Sequence, residues 1–178
     1  MAKSGEKIVK DYIESKGLHA EKIPKASTKS VDFAVYSAGE LVFYLEEKTI
    51  EPHPMAWKNV NTVYNAIGKH IYEATKQFKS TNSGREVSNV LALINRDPAR
   101  SIDDLFTTLI GYVITPRGRM QRIDVMKKLE KEEPVIDLFL WFDQNQLAGH
   151  ILDEDHTPYE AKLTEVLGLE QTDGDEWY

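Results

Sequence analysis

Two neighbouring stretches decide the reading of this chain: Val31-Asp32-Phe33-Ala34-Val35-Tyr36 and Leu41-Val42-Phe43-Tyr44-Leu45-Glu46-Glu47-Lys48. Both are rich in β-branched and aromatic residues and are bounded by Ser and Gly, the pattern of β-strands. Ser37-Ala38-Gly39 between them predicts a hairpin turn. Alternate residues on a strand share a face, so Glu46 and Lys48 point one way and Glu47 the other. Asp32 precedes Glu46 by fourteen positions. The pair of strands therefore gathers two carboxylates and an ammonium near its ends.

Working outward, Ile8, Val9, Tyr12 and Ile13 recur at helical spacing between a capping Ser4 and a terminating Gly17, predicting a helix from about Gly5 to Lys16. Glu6 falls near the edge of its apolar stripe, within reach of a site beside a sheet. A short strand is expected around Leu18 to Ile23, then a loop from Pro24. On the far side, Glu51-Pro52-His53-Pro54 breaks the chain, because two prolines so close forbid a regular element. Val60, Val63, Tyr64, Ile67, Ile71, Ala74 and Phe78 then form one stripe of a long helix over about Asn59 to Lys79. His70 and Gln77 border that stripe. Asn89 to Ile94 is apolar on both faces, as a strand buried on both sides must be.

Beyond residue 100, Ser101 and Asp104 start a helix expected to run to about Tyr112. Thr115 to Arg122 reads as a basic loop, Lys127 to Glu133 as a charged helix, Val135 to Phe142 as the last strand, and 157–167 as a closing helix. Residues from Gln171 onward read as frayed. No internal repeat and no second core are visible, so one domain over 1–178 is expected, with a core at about 5–95 and an acidic extension at about 129–178.

The 178 residues carry a net charge of −7, unevenly distributed. Residues 1–128 hold +5 and residues 129–178 hold −12. An acidic total opposes strong nonspecific binding of long duplexes, whose affinity comes from cationic contacts. The basic part nevertheless contains the paired strands. The acidic part is either a solvated surface that aids solubility or a segment that restrains the basic face or meets a basic partner. Cysteine is absent, which excludes disulfides and thiolate metal sites. No apolar run reaches membrane-spanning length, and the start turns polar at once, so a cytoplasmic protein with no membrane partner is expected.

The order helix, strand, Asp-bearing strand, Glu-x-Lys strand, helix, buried strand resembles the PD-(D/E)xK nuclease superfamily, which includes restriction endonucleases, junction resolvases and phage and repair nucleases. The resemblance covers about residues 5 to 95. It implies an α/β fold with a mixed central β-sheet flanked by helices, a restriction-endonuclease-like core (α-β-β-β-α-β) with C-terminal additions. It places Asp32 at the first acid, Glu46 at the second and Lys48 at the lysine. Val31 stands where the motif has proline. Glu6 falls where many members place a helical glutamate, and Gln77 where some place a polar residue on the following helix. The implied activity is Mg²⁺- or Mn²⁺-dependent cleavage of a nucleic acid, DNA rather than RNA, in a phage, mobile-element, defence or repair setting.

The residue types carry the same chemistry. Mg²⁺ prefers one or two carboxylates with waters and substrate phosphate, which Asp32 and Glu46 can supply. Lys48 can position a water or stabilise charge on the phosphate. The bland counterpart is an ordinary ion pair at a solvated strand end. Two further functions remain open: a noncatalytic binding module with an acidic partner-binding surface, and an RNA-directed nuclease or toxin domain. A homodimer or a protein partner met through the acidic part is also expected. Arg117, Arg119 and Arg122 form a compact basic cluster that is either a plain solvated surface or a phosphate contact. Trp57 can stack on a base or belong to the core, and His53 can face substrate or simply lie exposed in its loop. His150, Asp153, Glu154, Asp155 and His156 match no zinc or calcium spacing and read as a loop.

Overall fold

The computed structural model describes residues 4–25, 29–52, 60–115, 117–124, 126–153 and 159–169. Ser4 caps α1 (Gly5–Ser15), its Oγ accepting the Lys7 N–H at 3.3 Å. Burial of Ile8, Val9 and Ile13 fixes the helix against the sheet, as its stripe requires. The chain continues through β1 (His19–Lys22), β2 (Phe33–Ser37) and β3 (Glu40–Ile50) to α2 (Val60–Thr81) and β4 (Ser88–Asn95). The remaining elements are α3 (Ile102–Ile110), β5 (Tyr112–Ile114), β6 (Met120–Arg122), α4 (Met126–Leu129), β7 (Leu138–Asp143), β8 (Gln146–Leu152) and α5 (Glu160–Leu167).

A mixed six-stranded sheet lies at the centre, in the order β1-β2-β3-β4-β7-β8. The β1–β2, β2–β3 and β7–β8 pairs are antiparallel, while β3–β4 and β4–β7 are parallel. Positive φ at Ala38 and Gly39 makes the tight turn between β2 and β3 that the sequence requires. All eight residues of β4 are buried. Val90, Ala92 and Ile94 join the apolar layer under α1 and α5, and Leu91 and Leu93 join the layer under α2 and α3. Strand alternation thus feeds two cores, one on each face of the sheet. Among the described residues, no helix is long and apolar enough to cross a membrane.

A polar network closes the end of the sheet where β4 and β7 begin. Buried Asp137 accepts the Asn89 N–H at 2.7 Å and an Arg85 N–H at 2.8 Å. The Asn89 amide bridges Asn82 and the Val135 carbonyl at 2.9 and 2.7 Å.

Four expectations are corrected. The helix after Ser101 stops at Ile110, because Gly111 takes φ 83° and caps it in the left-handed region. Tyr112 and Met120 to Arg122 belong to a hairpin rather than to a helix end and a loop: β5 and β6 pair Tyr112 with Arg122 and Ile114 with Met120. Val135 to Phe142 is not the last strand. β8 follows it across a turn in which Gln144 carries φ 56°, and it places His150 opposite Leu140 rather than in a loop. The charged segment from 127 to 133 is helical only as far as Leu129.

Candidate active site

Register builds the site. Phe33 pairs with Leu45, so Asp32, one step before β2, comes opposite Glu46 on β3. Opposed residues of an antiparallel pair share a face. The Asp32 N–H donates to Glu46 Oε2 at 3.0 Å, and Asp32 Oδ2 accepts the Glu47 N–H at 3.0 Å. The segment before β2 is held by α2, since the Val31 N–H reaches Thr81 Oγ1 at 3.2 Å. Both carboxylates are almost completely enclosed, with Asp32 5% and Glu46 2% exposed.

Lys48, two residues beyond Glu46, points to the same side. Its Nζ donates to Glu46 Oε1 at 2.7 Å and to Gln77 Oε1 at 2.9 Å. Gln77 comes in from α2, donating to Glu46 Oε1 at 2.6 Å and to the Ser30 carbonyl at 3.1 Å. Of the expected residues, Asp32, Glu46, Lys48 and Gln77 are therefore brought together in one hydrogen-bonded group under α2. Lys25, in the segment after β1, stands 4.0 Å from Asp32 Oδ1.

Glu47 faces the opposite side, toward α1. Thr49 Oγ1 donates to its carboxylate at 2.6 Å, and a Cβ added at Gly5 would overlap it, so a side chain there would have to displace the carboxylate. Glu6 belongs to this side as well. It pairs with Lys22 and bears on Glu47 by like charge, and it makes no hydrogen bond to the group under α2. Arg117 and Arg119 are exposed on the β5–β6 hairpin, and Arg122 pairs with Glu130. His53 and Trp57 lie outside the described residues.

The electrostatics follow from burial. Desolvation, then the adjacent Asp32, lifts Glu46 to about 7, against the opposing pull of Lys48 and Gln77. Burial also raises Glu47, with Asp32 and Glu6 adding to the effect. His70 lies two helical turns before Gln77 on α2. Burial and then the Lys48 charge push its imidazole below its ordinary range, and its buried Nδ1 has no partner among the described residues.

Two buried carboxylates that repel each other are a donor set a divalent cation relieves. Asp32 and Glu46 are hard oxygen donors, and Mg²⁺ demands only one or two of these. No group of three or more His, Cys, Asp or Glu gathers in metal-binding fashion among the described residues. The residues present fit a Mg²⁺ or Mn²⁺ ion held by Asp32 and Glu46.

Scans against protein-family models, curated proteins and solved structures return no match.

Proposed function

We propose that this chain is a metal-dependent phosphodiesterase that cleaves DNA, a nuclease of the PD-(D/E)xK type. The observation that carries the reading is the union of Asp32, Glu46, Lys48 and Gln77 in one enclosed hydrogen-bonded group on one face of the sheet. The element order from α1 to β4 supports a restriction-endonuclease-like core, with the β5–β6 hairpin, β7, β8 and α5 as additions.

When bound, a Mg²⁺ or Mn²⁺ ion would supply charge neutralisation at the scissile phosphate and a more acidic water. The chain's own residues do the rest. Asp32 and Glu46 present the negative charge that would hold the ion. Gln77 and the Asp32 N–H fix both oxygens of Glu46, so the carboxylate does not rotate away. Lys48 offers three donors and no acceptor, which suits it to stabilise charge building on the phosphate rather than to take a proton. Glu47, turned to the other face, only lends its backbone N–H to Asp32.

Labelled single- and double-stranded DNA and RNA, incubated with Mg²⁺, Mn²⁺ or EDTA, test the reading. Cleavage of DNA that requires either metal is expected. RNA cleavage alone transfers the activity to the RNA-directed class, and no cleavage of any substrate leaves the fold as a binding module.

A further inference from the structure

The exposed large apolar side chains of the described residues are confined to one short region: Phe106 and Ile110 on α3, and Tyr112, Ile114 and Met120 on the β5–β6 hairpin. Ile114 and Met120 face each other across the hairpin, and each is 72% exposed. Strand alternation places Tyr112 on the same face. The turn joining the two strands carries Arg117 and Arg119, exposed and without an ion pair among the described residues. From Leu105 to Ile123 the chain has no Asp or Glu, although it holds 29 acids in all. An isolated apolar ribbon gains little from its own two strands, so its composition requires another reason.

The patch shares a face of the sheet with the site. Leu105 of α3 packs in the same apolar layer as Ile67, Ile71 and Phe78 of α2, and Lys48 and Gln77 meet beneath that helix. On this layer α2 turns Lys69 and Lys76 outward, and α4 adds Lys127 and Lys128.

We propose that the hairpin and the adjoining edge of α3 are the docking surface for a single-stranded segment of DNA. Unpaired bases pack on Tyr112, Ile114, Met120 and Phe106, and Arg117 and Arg119 hold the phosphates between them. Charge decides for this partner. A purely apolar protein partner has no use for an acid-free arginine turn, whereas a strand of nucleic acid offers flat apolar faces and regular negative charge together. The inference rests on the nuclease reading for the choice of DNA, but its own test needs no cleavage.

The test is fluorescence-anisotropy titration, in EDTA, of a labelled 30-nucleotide DNA against its duplex and the same sequence in RNA. Four proteins are compared across a salt series: the parent, Ile114→Ser with Met120→Ser, Arg117→Ala with Arg119→Ala, and Phe106→Ser. Circular dichroism confirms that each is folded. The parent is expected to prefer the single strand. The serine pair should bind it roughly tenfold more weakly with an unchanged salt slope, because stacking rather than charge is lost. Phe106→Ser should weaken it in the same manner. The alanine pair should flatten the slope by about 1.4, the share of two phosphate contacts on a single strand. Unchanged affinity in both serine variants overturns the proposal, and a dimer-to-monomer shift in light scattering then assigns the patch to a second copy of the chain. Tighter binding of the RNA overturns the choice of DNA. A parent that binds through the hairpin yet cleaves nothing contradicts the nuclease reading alone.

Discussion

Glu46→Gln removes a carboxylate that burial and Asp32 hold at about 7 instead of its ordinary 4.5. In the folded chain this acid keeps its proton between about 4.5 and about 7, where the unfolded chain has already released it. The folded state binds more protons in that window, so the parent loses stability as pH rises through it. At about 1.4 kcal/mol per pH unit, the loss from this one group comes to about 3 kcal/mol by pH 8. Glutamine has no such titration. Its poorer hydrogen bonds to Lys48 and Gln77 set an offset between the two proteins, and the slope of their difference isolates the carboxylate. Urea unfolding in EDTA from pH 4.5 to 8 measures it. The stability of Glu46→Gln relative to the parent should rise by about 3 kcal/mol across the series. A difference that stays flat with pH would refute the claim that Glu46 is buried against Asp32 at a standing electrostatic cost.

Other consequences follow from the same geometry. Adding Mn²⁺ should raise the melting temperature of the parent more at pH 8 than at pH 5, because the ion selects ionised carboxylates, and should leave Asp32→Asn unmoved; differential scanning fluorimetry reads both. Gln77→Ala should slow single-turnover cleavage by about 10- to 100-fold, the usual cost of losing a residue that orients a metal-binding carboxylate. Lys48→Ala should cost about 100- to 1,000-fold, while Glu47→Gln stays within about tenfold of the parent, in the same assay. Asp137→Ala should destabilise the fold by about 3 kcal/mol in urea, since it leaves Arg85 and the Asn89 N–H without their buried acceptor, and should spare the pH profile of the site.

What the sequence disclosed, and what it hid, has physical causes. Strand period made the division of Glu46 and Lys48 from Glu47 legible, since a strand allows no other arrangement of alternate side chains. The long stripe of α2 located Gln77 at its border, and Ser4 and Ser101 announced their helices by capping chemistry. Glu6 was less decidable. A residue at the edge of a helical stripe can turn to either side, and the packing of Gly5 on Glu47 sends it toward Lys22. β8 escaped notice because its turn uses Gln144, not glycine, for the left-handed residue, and because its residues are only partly buried and so lack strict alternation. The β5–β6 hairpin was masked by its arginines, which read as loop until Tyr112, Ile114 and Met120 are seen to form one exposed face.

The most direct test of the central claim is single-turnover cleavage of end-labelled DNA by the parent and by Glu46→Gln, purified side by side, with Mg²⁺ and with EDTA. The parent should cut the DNA with Mg²⁺ and not with EDTA, and Glu46→Gln should be inactive under both conditions while retaining its fold. Equal cleavage by the folded variant, or no cleavage by the parent with either Mg²⁺ or Mn²⁺, would contradict the assignment of Asp32, Glu46 and Lys48 as a hydrolytic centre.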